Sequence, residues 1–250
     1  MLLLLPPSET KRDGGDAAAL DLAALSFPEL APQRKAALAG LRALSRSVGG
    51  SMAALGLGPT QRFEIDRNRA LGHGPTMPAL DRYTGVLFDE LDAPSLHPTA
   101  REFATRHLII HSALFGLLGA DDPIPAYRLS HDSRVPGSSL RKLWRAPISA
   151  VLSAQSELVL DLRSESYVSL GPAPESATYV RVVSEAVDGR RSALSHFNKK
   201  GKGAFTRAVV EAGIDHPTVE ALVAWASGAG IRLEPGAPGE LDLVLPAHTT

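Results

Sequence analysis

Tyr179-Val180-Arg181-Val182-Val183-Ser184-Glu185-Ala186-Val187, then Asp188-Gly189, then Arg190-Arg191-Ser192-Ala193-Leu194-Ser195-His196-Phe197 decides the fold class. Two β-rich runs meet at an Asp-Gly pair, the pattern of a tight hairpin. The second run leads into Asn198-Lys199-Lys200-Gly201-Lys202-Gly203, and Phe205, Ala208, Val209 and Ala212 then recur at helical spacing until Gly213. Strand pairing followed directly by an amphipathic helix points to a mixed α/β chain.

Working outward, Leu2-Leu3-Leu4-Leu5 reads as a buried first strand stopped by Pro6-Pro7. It is too short for a signal-peptide core or a membrane span. Ser8-Glu9-Thr10-Lys11-Arg12-Asp13-Gly14-Gly15 reads as a surface loop leaving that strand. Pro32 opens a helix with Ala37, Leu38, Leu41, Leu44 and Val48 on one stripe, stopped by Gly49-Gly50, with its basic residues facing water. Residues 58–78 read as a long loop. Pro98 opens a helix with Thr99 as its cap, followed by a strand at Leu108-Ile109-Ile110 and a turn at 121–125. Residues 140–154 read as a helix carrying Trp144 and broken or kinked at Pro147. A strand at 158–162, a helix at 217–226 and a closing hairpin from 231–233 and 241–245 complete the pattern. The expectation is one compact α/β (α+β) domain over residues 1–250, with a mixed sheet and flanking helices.

The 250 residues are 44% hydrophobic and 21% charged, with net charge −1 and no cysteine. These are globular values, and the missing thiols exclude disulfides, Cys-based metal sites and a thiol nucleophile. They fit a reducing cytoplasm. The neutral total hides segregation: residues 181–207 carry seven basic residues against two acids, whereas residues from 211 onward carry six acids against Arg232.

Glycines, three lysines and a following helix start make the turn at 195–203 a candidate phosphate cradle. A solvated loop with ordinary surface lysines is the plain alternative. There is no Walker A loop and no GxGxxG spacing, so no cofactor is implied. No GxSxG turn supports a hydrolase, and His131-Asp132 alone carries little. His107 and His111 are four apart, but the strand-like Leu-Ile-Ile between them favours structural roles over a shared metal. No catalytic residue is assigned, and an enzymatic role stays open.

Pro6-Pro7-Ser8-Glu9-Thr10-Lys11, Tyr83-Thr84-Gly85, His111-Ser112-Ala113-Leu114-Phe115-Gly116-Leu117-Leu118, Tyr127-Arg128-Leu129, Trp144, Ser164-Glu165-Ser166-Tyr167 and Ser195-His196-Phe197-Asn198-Lys199 occur in that order. The series resembles the YaaA family of peroxide stress proteins over roughly residues 1–213. Some family members carry Lys-Lys-Ala-Arg-Gly where this chain has Lys199-Lys200-Gly201-Lys202-Gly203, which keeps the charge and loses the guanidinium fork.

The resemblance implies a cytoplasmic protein of the peroxide response that limits iron-dependent damage. It also implies a fold of the family's own, a basic cleft, a helix-hairpin-helix-like element (best placed at the helix from Ala204) and affinity for DNA. Expected phosphate or nucleic-acid ligands are Lys11, Arg128, Asn198, Lys199, Lys200, Lys202 and Arg207. Expected cleft walls are Tyr83, Tyr127, Trp144, Ser195 and His196. The partner is DNA, bound through its backbone, or alternatively a phosphorylated, nucleotide-like small molecule handled by an enzyme. Neither membrane nor metal is expected, and oligomeric state stays open.

Overall fold

The computed structural model describes residues 1–137, 139–185, 191–193 and 197–246. Their strands are β1 (Leu2–Leu5), β2 (Ala17–Ala19), β3 (Pro75–Pro78), β4 (Leu108–Ser112), β5 (Gly116–Gly119), β6 (Pro123–Ile124), β7 (Val159–Asp161), β8 (Thr178–Glu185), β9 (Arg191–Ala193), β10 (Leu233–Pro235) and β11 (Glu240–Pro246). Their helices are α1 (Ala31–Leu44), α2 (Val48–Leu55), α3 (Phe63–Arg69), α4 (Ala79–Arg82), α5 (Val86–Leu91), α6 (Pro98–His107), α7 (Leu140–Ser153), α8 (Glu165–Val168), α9 (Phe197–Ala212) and α10 (Val219–Gly228).

The main sheet runs β10-β11-β8-β7-β1-β4-β5, and β9 pairs with the end of β8 that runs past β7. Strands β11, β8, β7, β1 and β4 are mutually parallel; β10 and β5 are antiparallel edges. All four leucines of β1 are buried, as a central parallel strand covered on both faces requires. The mixed α/β class expected from the sequence is therefore found. The pairing of β8 with β9, with Val183 opposite Ala193, matches the expected hairpin. Its Asp188-Gly189 turn lies outside the described residues, as do Ser195 and His196.

Six local expectations are corrected. The sequence 198–203 is no turn: α9 begins at Phe197 and carries Lys199, Lys200, Gly201, Lys202 and Gly203 in its first two turns. A Cβ on Gly201 would lie 2.8 Å from Leu245 Cδ1 over the sheet. One on Gly203 would meet the Leu87 carbonyl and lie 2.9 Å from Glu90 Cβ on α5. These glycines bring a helix close to its neighbours, at a cost in helix propensity. Ala204 consequently lies mid-helix rather than at a helix start.

Gly49 and Gly50 lie inside α2, whose N-cap Ser47 accepts from Gly50 N at 3.1 Å. Residues 58–78 contain α3 and β3. Polar α3 has no long apolar stripe, yet it buries Ile65 and Asn68. At α6 the cap is His97, which accepts from Thr99 N. Pro147 sits within an unbroken α7, held by the buried Trp144, Ile148, Val151 and Leu152.

Arg34, expected to face water, is 0% exposed. Its guanidinium donates to Phe115 O (2.9 Å), Leu117 O (2.7 Å) and Ser26 O (2.6 Å), tying α1 to the β4–β5 hairpin. Trp144 serves the same hairpin. Its ring packs on Gly116 (φ 70°), where a Cβ would lie 2.6 Å from Cζ3, and its Nε1 donates to Ala113 O at 2.9 Å.

Replacing Gly203 with Ala is expected to force α9 off α5 and to cost about 1–3 kcal/mol, the usual range for overpacking. Urea denaturation of the variant checks it; unchanged stability would mean that the α5–α9 contact yields freely.

Candidate functional site

The chain leaves β1 to form β4 on one flank, then crosses to β7 on the other and steps outward to β8. Neighbours β1 and β7 thus send their following segments apart, and a crevice opens at their carboxyl ends. Open α/β sheets bind ligands at such a switch point. Here the crevice has a volume of about 500 Å³ and lies between Pro6–Glu9 after β1, residues 162–167 after β7, Tyr179 and Arg181 on β8, Ser130-His131, and the first turns of α9.

Beneath it lies a group of buried charges. Arg163, 0% exposed, makes a two-pronged pair with Asp161: Nε to Oδ1 at 2.9 Å and Nη2 to Oδ2 at 2.7 Å. Its Nη1 donates to Gly171 O (2.8 Å) and His111 Nδ1 (2.9 Å). A guanidinium only donates, so His111 accepts at Nδ1 and carries its proton on Nε2. Burial, then the nearby Arg163 charge, holds His111 well below the usual histidine range, and it is neutral. Tyr179 Oη and Lys202 Nζ both donate to Arg163 O, at 3.1 and 3.2 Å.

Residues 8–15 form the expected surface loop, but its Lys11 turns inward and is 5% exposed. The loop is pinned by buried Arg82, which donates to the Arg12 and Gly14 carbonyls. Lys11 Nζ donates to Ser8 O (2.9 Å) and Glu9 O (3.1 Å) and lies 4.1 Å from the Tyr127 ring centre and 5.2 Å from that of Tyr83. The carbonyls and ring faces favour the ammonium. Burial outweighs them and pulls the amine down to about 7.

Tyr83 and Tyr127 join hydroxyls at 2.7 Å, and Tyr127 joins Ser112 Oγ at 2.7 Å. Ser112 Oγ already accepts from Leu114 N and Phe115 N, so its hydroxyl donates to Tyr127 and Tyr127 donates to Tyr83.

Glu9 reaches the crevice with its carboxylate held by Arg128 Nη2 and by Ser130 Oγ (3.1 Å). Asn68 of α3 clamps the Arg128 backbone in both directions, at 2.8 and 2.9 Å. Ser130 Oγ (3.4 Å) and Asp132 Oδ1 (3.7 Å) both approach His131 Nδ1. A proton relay needs its two partners on opposite ring nitrogens, so this is no hydrolase triad. His107 donates to Met1 O at 2.7 Å and His111 serves Arg163, so the two rings do not share a ligand site.

Of the expected ligands, Asn198, Lys199 and Lys202 line the crevice, with Lys199 exposed and Lys202 3% exposed. Lys11 and Arg128 (7% exposed) lie behind its wall. Lys200 points to Glu90 (3.9 Å), and Arg207 is engaged by Glu211, Asp92, Ser95 and the Leu91 carbonyl. Tyr83 and Tyr127 form a layer below the crevice, and Trp144 belongs to the core. Sequence reasoning did not nominate Glu9, Ser130, His131, Arg163 or Tyr167. The Pro-Pro-Ser-Glu and Ser-Glu-Ser-Tyr motifs ending two parallel strands were the available signal. Nothing local marks Arg163, whose partners come from β4, β7 and residue 171.

The depressed Lys11 amine makes stability depend on pH. Between about 7 and 10.5 the unfolded chain holds a proton that the folded chain has released, so stability rises with pH across that window. Wild type should gain about 2 kcal/mol more than the Lys11→Met variant between pH 7 and 9. Urea midpoints at the two pH values check this; parallel pH profiles would contradict it.

Comparison with known proteins assigns the family. The family model described as peroxide stress protein YaaA matches residues 1–234. A UPF0246 protein of Corynebacterium glutamicum (strain R) is 44% identical over 239 residues, covering 94% of this chain and 95% of its own. A UPF0246 protein of Streptomyces coelicolor is 37% identical over 245 residues, with coverages of 96% and 94%. An uncharacterized protein of Campylobacter jejuni is 27% identical over 207 residues, covering 81% and 82%. With a family model spanning nearly its whole length and relatives aligned end to end, the chain belongs to the YaaA family of peroxide stress proteins.

Proposed function

We propose that this chain serves the peroxide response, in the cytoplasm, by holding and acting on a phosphorylated, nucleotide-like small molecule in the switch-point crevice. One observation carries the reading: three of the cations expected to meet phosphate, Lys11, Arg128 and Lys202, are 5%, 7% and 3% exposed. A duplex backbone meets protein at an open surface and cannot reach amines at that depth. A small anion entering the crevice meets Lys199, the Lys202 amine and the positive end of the α9 dipole. The crevice volume suits a ligand of that class. Glu9, fixed by Arg128 and Ser130, supplies an acceptor for a ligand hydroxyl or amine.

A second reading, backbone binding of DNA that shields it from iron-dependent damage, is favoured by exposed cations. Lys199 and Lys200 project from α9, and Arg141, Lys142 and Arg145 flank a groove on α7. Among the described residues no helix is long and apolar enough to cross a membrane.

Thermal-shift screening against nucleotides and sugar phosphates separates the two. A crevice ligand at 100 times its dissociation constant adds about 2.7 kcal/mol of stability. Duplex DNA should bind weakly, and Lys199→Ala with Lys200→Ala should not change that binding. Indifference to every small phosphate, together with salt-sensitive DNA affinity lost in the double variant, would favour the second reading.

A further inference from the structure

We propose that Lys202 is a reactive amine that forms an imine with the aldehyde or ketone carbon of a phosphorylated carbonyl compound bound in the crevice. This rests on the small-molecule reading above and narrows it to a substrate class.

The geometry sets Lys202 apart from the other five lysines of the chain. Lys35, Lys142, Lys199 and Lys200 are exposed, and Lys11 is buried behind the crevice wall with its amine held by two carbonyls. Lys202 alone is both buried and part of the crevice lining. Among the described residues its Nζ has a single hydrogen-bond partner, Arg163 O at 3.2 Å, and no carboxylate within ion-pair distance. The nearby Asp161 is consumed by Arg163. The Tyr179 ring, 5.0 Å away, covers another side. A carboxylate partner would lock the group as an ammonium; one carbonyl leaves nitrogen available to a ligand. Burial pulls this amine down to about 8, so about a tenth of it is neutral at pH 7.

The ligand's second half is specified by the same helix. Asn198 and Lys199 stand four and three residues before Lys202, on the same face and one turn nearer the helix start. A phosphate at Lys199 and the first turn places a carbonyl about 5 Å further along the helix, opposite Lys202. That separation suits a compound with its carbonyl a few bonds from its phosphate.

The step balances without a further reactant. The ammonium first gives one proton to water. The neutral nitrogen attacks the carbonyl carbon, and the C=O pair becomes an alkoxide that takes one of the two protons of the now positive nitrogen. The hydroxyl of the resulting carbinolamine leaves as water, and the proton it needs is balanced by the last proton that nitrogen gives up as the C=N bond forms. The net change is amine plus carbonyl to imine plus water.

Pyridoxal 5′-phosphate is a suitable probe, with borohydride reduction and peptide mapping of the wild-type chain. The expected result is modification of Lys202 about tenfold above any other lysine, and weaker labelling by pyridoxal, which lacks the phosphate. Lys202→Arg should abolish the adduct at this position, and inorganic pyrophosphate should raise the melting temperature of the wild-type chain. Labelling spread over Lys35, Lys142, Lys199 and Lys200 with Lys202 untouched would overturn the proposal. If pyrophosphate still stabilised the chain in that case, the phosphate crevice would stand and only the imine would fall. Equal labelling of Lys202 by pyridoxal and its phosphate would instead keep the amine and remove the phosphate reading.

Discussion

The buried pair of Arg163 and Asp161 organises the middle of this molecule. Asp161 ends β7, and the guanidinium it holds binds His111 of β4 and the carbonyl of Gly171. The Arg163 carbonyl accepts from Tyr179 of β8 and Lys202 of α9. Three parallel strands and the helix above them thus meet at one residue. Removing two charges from water is costly, and such a pair is sustained only when nearly every donor finds an acceptor. Here four guanidinium contacts do so, and the Arg163 N–H donates to Asp161 Oδ1 at 3.0 Å. The pair therefore fixes the relative positions of the strand ends between which the crevice opens.

The same economy of buried charge explains why the cations nearest the site are not surface charges. Lys11 lies between two tyrosine rings, Arg128 holds Glu9, and Lys202 rests on a carbonyl and a ring. Of the three, Lys202 lines the crevice, and its desolvation makes its charge act on an entering anion more strongly than that of a hydrated surface lysine. Helix α9 adds its dipole and is brought close by Gly201 and Gly203, whose missing side chains let it rest against β8, β11 and α5. Glycines that resemble a flexible phosphate loop in sequence are here the means of packing a rigid wall.

Much of the fold was legible. A four-leucine run stopped by two prolines has few readings other than a buried central strand, and the β8–β9 pairing and closing β10–β11 hairpin follow from alternating runs. Where the structure departs from the sequence pattern the cause is shared: glycine and proline usually mark loops, and charge usually marks a wetted face. Gly49 and Gly50 are helical, Pro147 is helical, polar α3 is a helix, and Arg34 is core. In each case tertiary packing overrides local propensity. At the site, Asn198, Lys199 and Lys202 were found because they are close in sequence. Glu9, Ser130 and Arg163 were not, because their partnership spans strands that only the sheet order brings together.

The central claim is the location of the ligand at the carboxyl edge of β1 and β7. Hydrogen–deuterium exchange, measured with and without a stabilising nucleotide or sugar phosphate, tests it most directly. The account predicts slowed exchange in residues 6–11, 162–167 and 198–203, and none around residues 139–146 on α7. Protection confined to α7, or absent from the two strand-end segments, would contradict it.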